Sequence, residues 1–309
     1  QLEKINNTLK FHKSSLLIKI GDPKSVFKSL INEFDIEEVY SNFDYEPYAL
    51  KRDLDITNLL NQNKIKHLQH KDQVIFEPHE ILKDNGDPYT VYTPYKNKWL
   101  SKFKETTIRI FDSVNFEKFV KKLFEFPQLS SLGFSKSQIK VKDYSLEILE
   151  GYKENRDIPS LDKTSYLSVH LRFGTVSVRK IVSSLGSNDT AFLSELIWRE
   201  FFMQILNNFP HVQKGSFKKK YDKIVWRNNK EEFKMWCEGK TGYPIVDAGM
   251  RQLNKTGYMH NRVRMITAGF LCKHLLIDWR WGEKYFAQKL LDYEMSSNNG
   301  NWQWAAGTG

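Results

Sequence analysis

The chain contains 309 residues, 40% of them hydrophobic and 27% charged, so it is too long for one small core and has the composition of a folded protein. Its two cysteines exclude a small disulfide scaffold, and no run approaches the roughly 18 apolar residues of a membrane span. Residues 151–309 carry 24 Lys and Arg against 15 Asp and Glu, whereas residues 1–150 carry 23 against 22. A basic second half indicates a polyanionic partner, most often nucleic acid, although charge alone supports simple solubility equally well.

The cysteines and the chain ends add two expectations. Cys237 and Cys272 have no close-spaced partner that would indicate a zinc or redox pair, so we predict no metal site and a reducing compartment. Residues 1–5 have the pattern of an amphipathic helix without a capping residue before it, and residues 305–309 form a stretch of small residues. We expect a fragment that lacks both ends of a longer protein.

Residues 1–100 alternate between short apolar runs and stretches of helical spacing, which predicts a parallel α/β arrangement. The predicted elements are a strand at Ser15–Ile20, a helix from Val26 to Phe34, a strand at Glu38–Tyr40, a helix over 47–63 and a strand at Ile65–Leu68. A doubly wound sheet that lacks its first strands fits this order. Because no Gly-x-Gly-x-x-Gly motif occurs here, the dinucleotide-binding fingerprint is absent.

Residues 84–95 are rich in turn formers and are predicted as a loop, after which strand signals fade. Apolar residues then recur at three- and four-residue spacing, and the predicted helices are 96–105, 115–126, 188–208, 230–238, 244–255, 260–280 and 282–295. The fold class is therefore α/β plus all-α. We predict a partial sheet domain over 1–100, a linker over 101–140 and a helical domain over 141–309.

A hydroxyl-rich cluster, Thr164-Ser165-Tyr166-Leu167-Ser168, follows Tyr152 and precedes a helical pattern. Hydroxyls and free backbone amides at the start of a helix can hold a diphosphate without a lysine. An ordinary helix cap with spare serines explains the same residues.

Two further segments combine charged and aromatic side chains. Glu195, Trp198 and Arg199 share one helical face, although an exposed Glu–Arg pair beside a buried tryptophan is the commoner arrangement. Lys218–Lys220 form a basic run with aromatic residues nearby, which suits phosphate contacts and equally suits a solvated loop.

Seven of the eight tryptophans follow residue 197, and the last of them lie among polar residues. On one predicted helix Asn261, Arg264 and Met265 share a face, with Arg262 opposite. Amide and acid groups then crowd against two tryptophans; these residues are Asp292, Asn298, Asn299, Asn301, Gln303, Trp302 and Trp304. Burying such groups without partners costs roughly 1–3 kcal/mol each, so we predict that a polar, aromatic group fills the space between them.

These segments resemble the photolyase/cryptochrome family. The matching strings begin at Glu195 (ELIWREF), Gly239 (GKTGYPIVDAGMRQL), Met259 (MHNRVRM) and Asn298 (NNGNWQWAA). The resemblance covers the chain essentially end to end, is strongest over 150–309 and is greatest to the bacterial class I photolyases that repair cyclobutane pyrimidine dimers. It implies an N-terminal α/β domain followed by a helical FAD-binding domain, here truncated at its C-terminal end.

By this resemblance the cofactor is FAD, reduced and anionic when active. Its implied contacts are Tyr152, Thr164, Ser165, Tyr166, Leu167, Ser168, Phe192, Asn261, Arg264, Asp292, Tyr293, Glu294 and Asn298. In this scheme Asp292 pairs with Arg264, Asn298 lies close to the flavin N5, and Glu294 replaces the Asp that relatives often carry. A cation and amide donors suit negative charge on a flavin ring.

The resemblance also implies that the substrate is DNA with a flipped-out pyrimidine dimer. The implied dimer and phosphate contacts are Glu195, Trp198, Arg199, Asn261, Arg262, Met265, Trp304 and the run Lys218–Lys220. The implied reaction is light-driven electron transfer from reduced FAD to the dimer, ring opening and return of the electron, with Glu195 protonated and hydrogen-bonded to the pyrimidine carbonyls. Trp302, Trp279 and Trp226 match the family's relay for photoreducing oxidised flavin, and core packing explains any one of them equally well.

Several alternatives stay open at this level: a cryptochrome photoreceptor without repair activity, a cryptochrome that prefers single-stranded lesions, an enzyme for pyrimidine (6-4) photoproducts, and a non-catalytic nucleic-acid binder. Glu195, Trp198 and Trp304 together favour repair, and the string Met259–Arg262 fits dimers better than (6-4) photoproducts. Residues 67–95 do not distinguish a folate, a deazaflavin or a second flavin as the antenna chromophore. We expect a monomer in the bacterial cytoplasm, associated with the nucleoid and not with a membrane.

Overall fold

The computed structural model describes residues 1–111 and 114–309, which fall into two compact units. The first unit contains residues 1–43, 48–70 and 108–138, and the second contains residues 44–47, 71–107 and 139–309. The predicted domain bounds group the chain differently, because residues 71–100 belong to the second unit. Residues 112 and 113 of the predicted linker lie outside the described part of the chain. The domain bounds themselves stay a prediction.

A parallel two-stranded sheet forms the centre of the first unit. Its elements are α1 (Leu2–Phe11), α2 (Pro23–Glu33), β1 (Glu38–Asn42), α3 (Pro47–Gln62) and β2 (Lys66–His70). The strands pair in parallel from Glu38 opposite Lys66 onward, and α3 connects them. Ile56 and Leu60 of α3 bury their side chains against Ile65. This crossover helix between parallel strands confirms the predicted α/β pattern.

The segment predicted as the first strand, Ser15–Ile20, is neither strand nor helix, so that prediction is wrong. Its polar groups bond elsewhere: the Leu16 N–H donates to Asn6 Oδ1 at 2.9 Å, and Ser15 Oγ accepts from the Phe124 N–H at 2.6 Å. A strand forms where a neighbouring strand supplies hydrogen bonds along its edge. Within the described residues the sheet consists of β1 and β2.

The helix predicted over 115–126 is also wrong, since a single 3-10 turn at Phe116–Lys118 forms there. Val120 and Leu123, which contribute to the helical spacing, are 69% and 64% exposed. A short helix in water depends on burying its apolar face. Here these apolar side chains lie in solvent, and the helix does not form.

The second unit is helical. Its helices are α4 (Tyr92–Lys104), α5 (Tyr152–Asn155), α6 (Leu167–Arg172), α7 (Val178–Ser183), α8 (Thr190–Asn208), α9 (Lys230–Glu238), α10 (Pro244–Thr256), α11 (Asn261–Gly269), α12 (Trp279–Lys289) and α13 (Met295–Ala306). The predicted helices at 188–208, 230–238 and 244–255 are confirmed, while α4 begins inside the predicted loop. Across the described ranges, no helix is both long and apolar enough to cross a membrane.

The helix predicted over 260–280 is not continuous in the structure. After α11 the chain makes a π-helical turn at Phe270–His274, and Leu276 then adopts a left-handed φ of 53°. Asp278 caps α12 by accepting from the Arg280 N–H at 2.9 Å, so a new helix starts there. The helix predicted over 282–295 likewise ends at Lys289, and apolar spacing does not predict α13.

Candidate active site

A cavity of about 440 Å³, here called the main cavity, is lined by residues of α5, α6, α8, α11 and α13. Most side chains implied by the resemblance line it; these are Tyr152, Ser165, Leu167, Ser168, Phe192, Glu195, Trp198, Arg199, Asn261, Arg262, Arg264, Met265, Asp292, Glu294 and Trp304. Asn301, one of the amides predicted to surround a polar, aromatic group, lines it too, whereas sequence reasoning missed Arg156, Arg172, Phe202 and Ser297. Segments far apart in the chain thus meet in one concave space, the usual form of a ligand site.

A smaller cavity of about 90 Å³, the inner cavity, shares Asn261, Arg264 and Asp292 with the main cavity and is also lined by Tyr293, Asn298 and Trp302. The Asn298 amide nitrogen donates to Glu283, at 3.1 Å to its backbone oxygen and at 2.8 Å to Oε1. Burial raises the pKa of Glu283, and this hydrogen bond offsets part of the shift. The amide oxygen of Asn298 is therefore the atom that can accept a hydrogen bond from a ligand.

The hydroxyl cluster is divided between two cavities. Ser165 and Ser168 face the main cavity, whereas Thr164 and Tyr166 line a third cavity of about 600 Å³. Thr164 Oγ1 accepts from the Tyr258 hydroxyl at 3.2 Å. The implied FAD contacts of this cluster stay a prediction.

Arg264 and Asp292 form an ion pair whose carboxylate is buried. Arg264 Nη1 and Nη2 donate to the two carboxylate oxygens at 3.1 and 2.8 Å, and the Asp292 side chain is 3% exposed. Burial raises the pKa of Asp292, but the charge and hydrogen bonds of Arg264 outweigh burial and leave the pKa below its usual value, with a further hydrogen bond from Ser168. Because the contact is bidentate, it fixes the plane of the guanidinium at the cavity wall.

Glu195 has a partner that sequence reasoning missed. Arg156 Nη1 donates to Glu195 Oε1 at 2.5 Å, and the Glu195 side chain is 33% exposed. Burial lowers the pKa of Arg156, but the hydrogen bond and charge of Glu195 have the larger effect, so the pKa lies above its ordinary value. Arg262 Nη2 in turn contacts Asp157 Oδ2 at 2.8 Å. Arg156 follows Tyr152 by one helical turn, a spacing that could have identified it.

The structure corrects the interpretation of the amides on α13. Asn299 Nδ2 and Gln303 Nε2 donate to the backbone oxygen of Val212 at 3.1 and 3.2 Å, and Gln303 Oε1 accepts from the Phe217 N–H at 2.6 Å. Protein groups, and not a ligand, therefore satisfy Asn299 and Gln303. These inward amides also explain why α13 forms without apolar spacing.

The three tryptophans of the implied relay lie in or against one buried cluster. Trp302 and Trp279 are each 2% exposed, and Trp226 packs against the cluster while half-buried. A Cβ added to Gly282 would lie 2.2 Å from Trp302 Cη2, so the indole packs directly on the backbone of α12. Trp236, which sequence reasoning missed, lies 6.1 Å from Trp302 between ring centroids. The relay role stays a prediction.

The basic residues predicted to hold phosphates differ in their surroundings. Arg199 Nη1 donates to the backbone oxygen of Gln73 at 2.5 Å, and Lys218 Nζ donates to the backbone oxygen of Gly309 at 2.9 Å. Lys219 and Lys220 are exposed. Both interpretations of the basic run, a phosphate contact and a solvated loop, are compatible with this exposure.

Comparisons with known proteins identify the relatives of this chain. The family described as the FAD binding domain of DNA photolyase matches residues 192–309, and the family described as DNA photolyase matches residues 1–112. Two similar proteins are named deoxyribodipyrimidine photo-lyase. The protein from Halobacterium salinarum is 36% identical over 96% of this chain and 67% of its own length. The protein from Vibrio cholerae is 38% identical over 91% of this chain and 65% of its own length.

The solved structure of a bacterial class III photolyase from Agrobacterium tumefaciens is similar with a TM-score of 0.85 at 34% identity, over 100% of this chain and 69% of that one. This chain thus spans about two thirds of the length of these relatives. The greater likeness to class I stays a prediction. The DNA photolyase match precedes the FAD-binding match along the chain, which confirms a photolyase N-terminal domain followed by a helical FAD-binding domain. The chain therefore belongs to the DNA photolyase/cryptochrome family.

Proposed function

We propose that this protein is a deoxyribodipyrimidine photo-lyase, which reopens cyclobutane pyrimidine dimers in DNA with light and bound, reduced FAD. The observation that carries the proposal is the main cavity, whose wall combines the Arg264–Asp292 pair with Glu195, Trp198 and Trp304. Polar anchors for a cofactor and flat side chains for bases share one space. The relatives named deoxyribodipyrimidine photo-lyase support the same choice.

The residues present fit FAD. Ser165 and Ser168 offer hydroxyls at the main cavity, Arg264 offers a fixed guanidinium, and Asn298 offers an amide oxygen that can accept from a flavin ring N–H. When bound and reduced, FAD supplies an electron to the dimer under light and takes it back after the ring opens, so there is no net redox change. Glu283 acts as a positioning residue, because it holds the Asn298 amide nitrogen away from the ligand.

The dimer pocket would be formed by Trp198, Met265 and Trp304. Photolyase chemistry needs a nucleotide rotated out of the helix, and a damaged step costs less to unstack than an intact one. Glu195 Oε1 already has Arg156 as its donor, so the second carboxylate oxygen can accept from a pyrimidine N3–H. Arg156 has further N–H groups that can donate to pyrimidine carbonyls, where negative charge develops during repair. This assigns to Arg156 the donor role that the sequence-based hypothesis gives to a protonated Glu195.

Phosphate contacts would supply affinity without sequence preference. Arg262 lines the main cavity and is partly exposed, whereas Lys219 and Lys220 are exposed and line none of the three cavities. Cationic side chains that reach phosphates release counterions, so binding should weaken as salt rises. Undamaged DNA is therefore expected to bind weakly and with the same salt dependence as damaged DNA.

The test is anaerobic illumination of the FAD-loaded, reduced protein with oligothymidylate that contains dimers, following the pyrimidine absorbance that dimer formation removes. We expect recovery in light and none in darkness. Glu238→Gln, on α9 and outside the described cavities, is a control that should repair normally. A flavin-loaded protein that absorbs light but restores no pyrimidine absorbance would contradict the proposal and favour the photoreceptor alternative.

A further inference from the structure

Tyr92, the first residue of α4, does not line any of the three cavities, yet it covers a residue that does. Its phenol ring stacks on the indole of Trp198 with ring centroids 3.5 Å apart and planes 7° apart. At this separation no base fits between the two rings. One face of a cavity-lining tryptophan is thus closed by a residue from another helix.

Tyr92 is itself held in place. Its hydroxyl donates to the backbone oxygen of Ser194 at 2.8 Å, one turn before Trp198 on α8. Its ring also meets the Phe201 ring in a T-shaped contact, with centroids 5.8 Å apart and planes at 77°. Burial raises the pKa of Tyr92, so the hydroxyl keeps its proton and remains a donor. The stacked ring is therefore fixed to the same helix that carries the indole.

A second aromatic ring connects Trp198 to α13. Phe202, one turn after Trp198, lies 5.5 Å from the indole at 25°. A Cβ added to Gly300 would lie 2.1 Å from Phe202 Cδ1, so Phe202 packs directly on the backbone of α13. Trp198 is therefore linked to α4 through Tyr92 and to α13 through Phe202, and its ring has little freedom to turn.

We propose that Tyr92 is a positioning residue for dimer recognition, because it closes one face of Trp198 and leaves only the other face and the edge for the flipped bases. The proposal rests on the function proposed above. An indole that is already fixed before binding does not lose rotamer freedom when the dimer binds, a loss that would raise the Kd by about 2- to 13-fold. Tyr92 thus raises affinity for the dimer without touching it.

The test measures the Kd of the FAD-loaded protein for dimer-containing and for undamaged oligothymidylate. Tyr92→Leu removes the ring, and Tyr92→Phe removes only the hydroxyl. We expect Tyr92→Leu to raise the Kd for the dimer about tenfold and Tyr92→Phe about threefold, within the cost of freeing one side chain. The Kd for undamaged DNA should change less than about twofold, because phosphate contacts dominate it.

A double-mutant cycle separates this role from a structural one. If Tyr92 acts through the indole, Tyr92→Leu has no further effect on the dimer Kd in a Trp198→Ala background. Trp99→Phe is the matched control: it removes the 2.7 Å hydrogen bond from Trp99 Nε1 to Glu200 Oε2, another link between α4 and α8, without touching Trp198. We expect this control to lower the unfolding temperature and leave the dimer Kd unchanged.

The inference would be overturned by an effect of Tyr92→Leu that persists in the Trp198→Ala background, by equal weakening of damaged and undamaged DNA, or by the same loss of dimer affinity in Trp99→Phe. A wild-type protein that discriminates dimers and repairs them, with an unaltered Kd in Tyr92→Leu, contradicts the inference alone. A wild-type protein that neither discriminates nor repairs dimers contradicts the proposed function as well.

Discussion

Two arginine–carboxylate pairs line the main cavity, and their surroundings differ. Arg264 and Asp292 meet through two hydrogen bonds, and the Asp292 side chain is 3% exposed. Arg156 and Glu195 meet through one nitrogen and one oxygen, and the Glu195 side chain is 33% exposed. In the first pair the carboxylate is shielded from solvent, although the Arg264 side chain is 24% exposed, and the two hydrogen bonds fix the geometry. The second keeps access to solvent and a carboxylate oxygen that can take another partner.

The difference indicates that the same chemical pair serves two purposes in one cavity. Removing one partner of a buried pair leaves an unpaired charge in a dry place, so such a pair suits a permanent frame. A partly exposed pair contributes little to stability, and a ligand can rearrange it at small cost. We infer that the Arg264–Asp292 pair is in place before any ligand binds, whereas the Arg156–Glu195 pair can adjust when a ligand binds.

The largest effect is expected from Asp292→Asn. The substitution leaves Arg264, whose side chain is 24% exposed, without its anionic partner, and we expect the free energy of unfolding to fall by about 3 kcal/mol, with loss of FAD during gel filtration. Urea denaturation and the flavin absorbance of the eluted protein measure the two effects. A loss below about 1 kcal/mol would place this pair in the same class as Arg156–Glu195 and remove the comparison.

Glu195→Ala should separate stability from activity. We expect the free energy of unfolding to change by less than about 1 kcal/mol, because the pair is partly exposed. Repair per absorbed photon should fall at least about tenfold, because a hydrogen bond to the reacting pyrimidine is lost. Urea denaturation and the light-dependent absorbance assay measure these outcomes. A variant as unstable as Asp292→Asn, or one that repairs at the wild-type rate, would contradict the assignment.

The pH dependence of stability should distinguish a buried carboxylate that is ion-paired with an arginine from one held mainly by neutral hydrogen-bond donors. Burial raises the pKa of Glu200 to about 7, since hydrogen bonds from Ile75, Trp99 and Phe76 offset only part of it. The folded state then binds this proton more tightly than the unfolded state, so the contribution of Glu200 to stability falls as pH rises from its ordinary value of 4.5 to about 7.

The contribution of Asp292 to stability depends on pH in the opposite direction. Burial raises the pKa of Asp292, but Arg264 has the larger effect, and the pKa in the folded state lies below the ordinary value of 3.8. The contribution of Asp292 to stability is therefore present above pH 3.8 and is lost as pH falls through the folded pKa. We expect Glu200→Gln to flatten the decline of the urea midpoint between about pH 5 and 7 and to leave the acid limb unchanged. Identical profiles for the two proteins would show that Glu200 does not titrate in this range.

The smallest effect is expected from Asp157→Asn. Asp157 pairs with Arg262 and lies 3.7 Å from Arg156, both partly exposed, so the free energy of unfolding should change by about 0–1 kcal/mol. Arg262 would be freed for phosphates, and we expect about twofold tighter binding of any DNA at low salt, disappearing at high salt. Fluorescence anisotropy at two salt concentrations measures this. A gain confined to damaged DNA would instead point to contact with the dimer.

Sequence reasoning succeeds for elements whose signal is local. The apolar spacing of 188–208 and of 244–255 predicts α8 and α10, because each helix buries one face. Sequence reasoning fails where contacts with a distant segment of the chain decide the local structure. Ser15–Ile20 has strand-like residues, yet the Leu16 N–H donates to the Asn6 side chain and the Ser15 hydroxyl accepts from the Phe124 N–H. The inward face of α13 carries amides that bond to Val212 in place of apolar side chains.

The candidate site follows the same rule. Strings such as Asn261–Met265 are recognisable through family resemblance, and that resemblance is what connects Glu195 to residues a hundred positions away. Arg156 and Phe202 lie outside the strings that carry the resemblance, although each follows a predicted site residue, Tyr152 or Trp198, by one helical turn, and the fold places both at the cavity. Tyr92 is a further case, since nothing in its local sequence indicates that it covers Trp198.

Gly282 has a consequence for the redesign of this protein. A methyl group at position 282 would lie 2.2 Å from an atom of the Trp302 ring, so the indole would have to shift. This indole lines the inner cavity of about 90 Å³. The close approach of α12 to the indole therefore fixes one wall of that cavity. Replacing one hydrogen by one carbon would displace the Trp302 ring, which makes position 282 a place to vary the shape of the inner cavity.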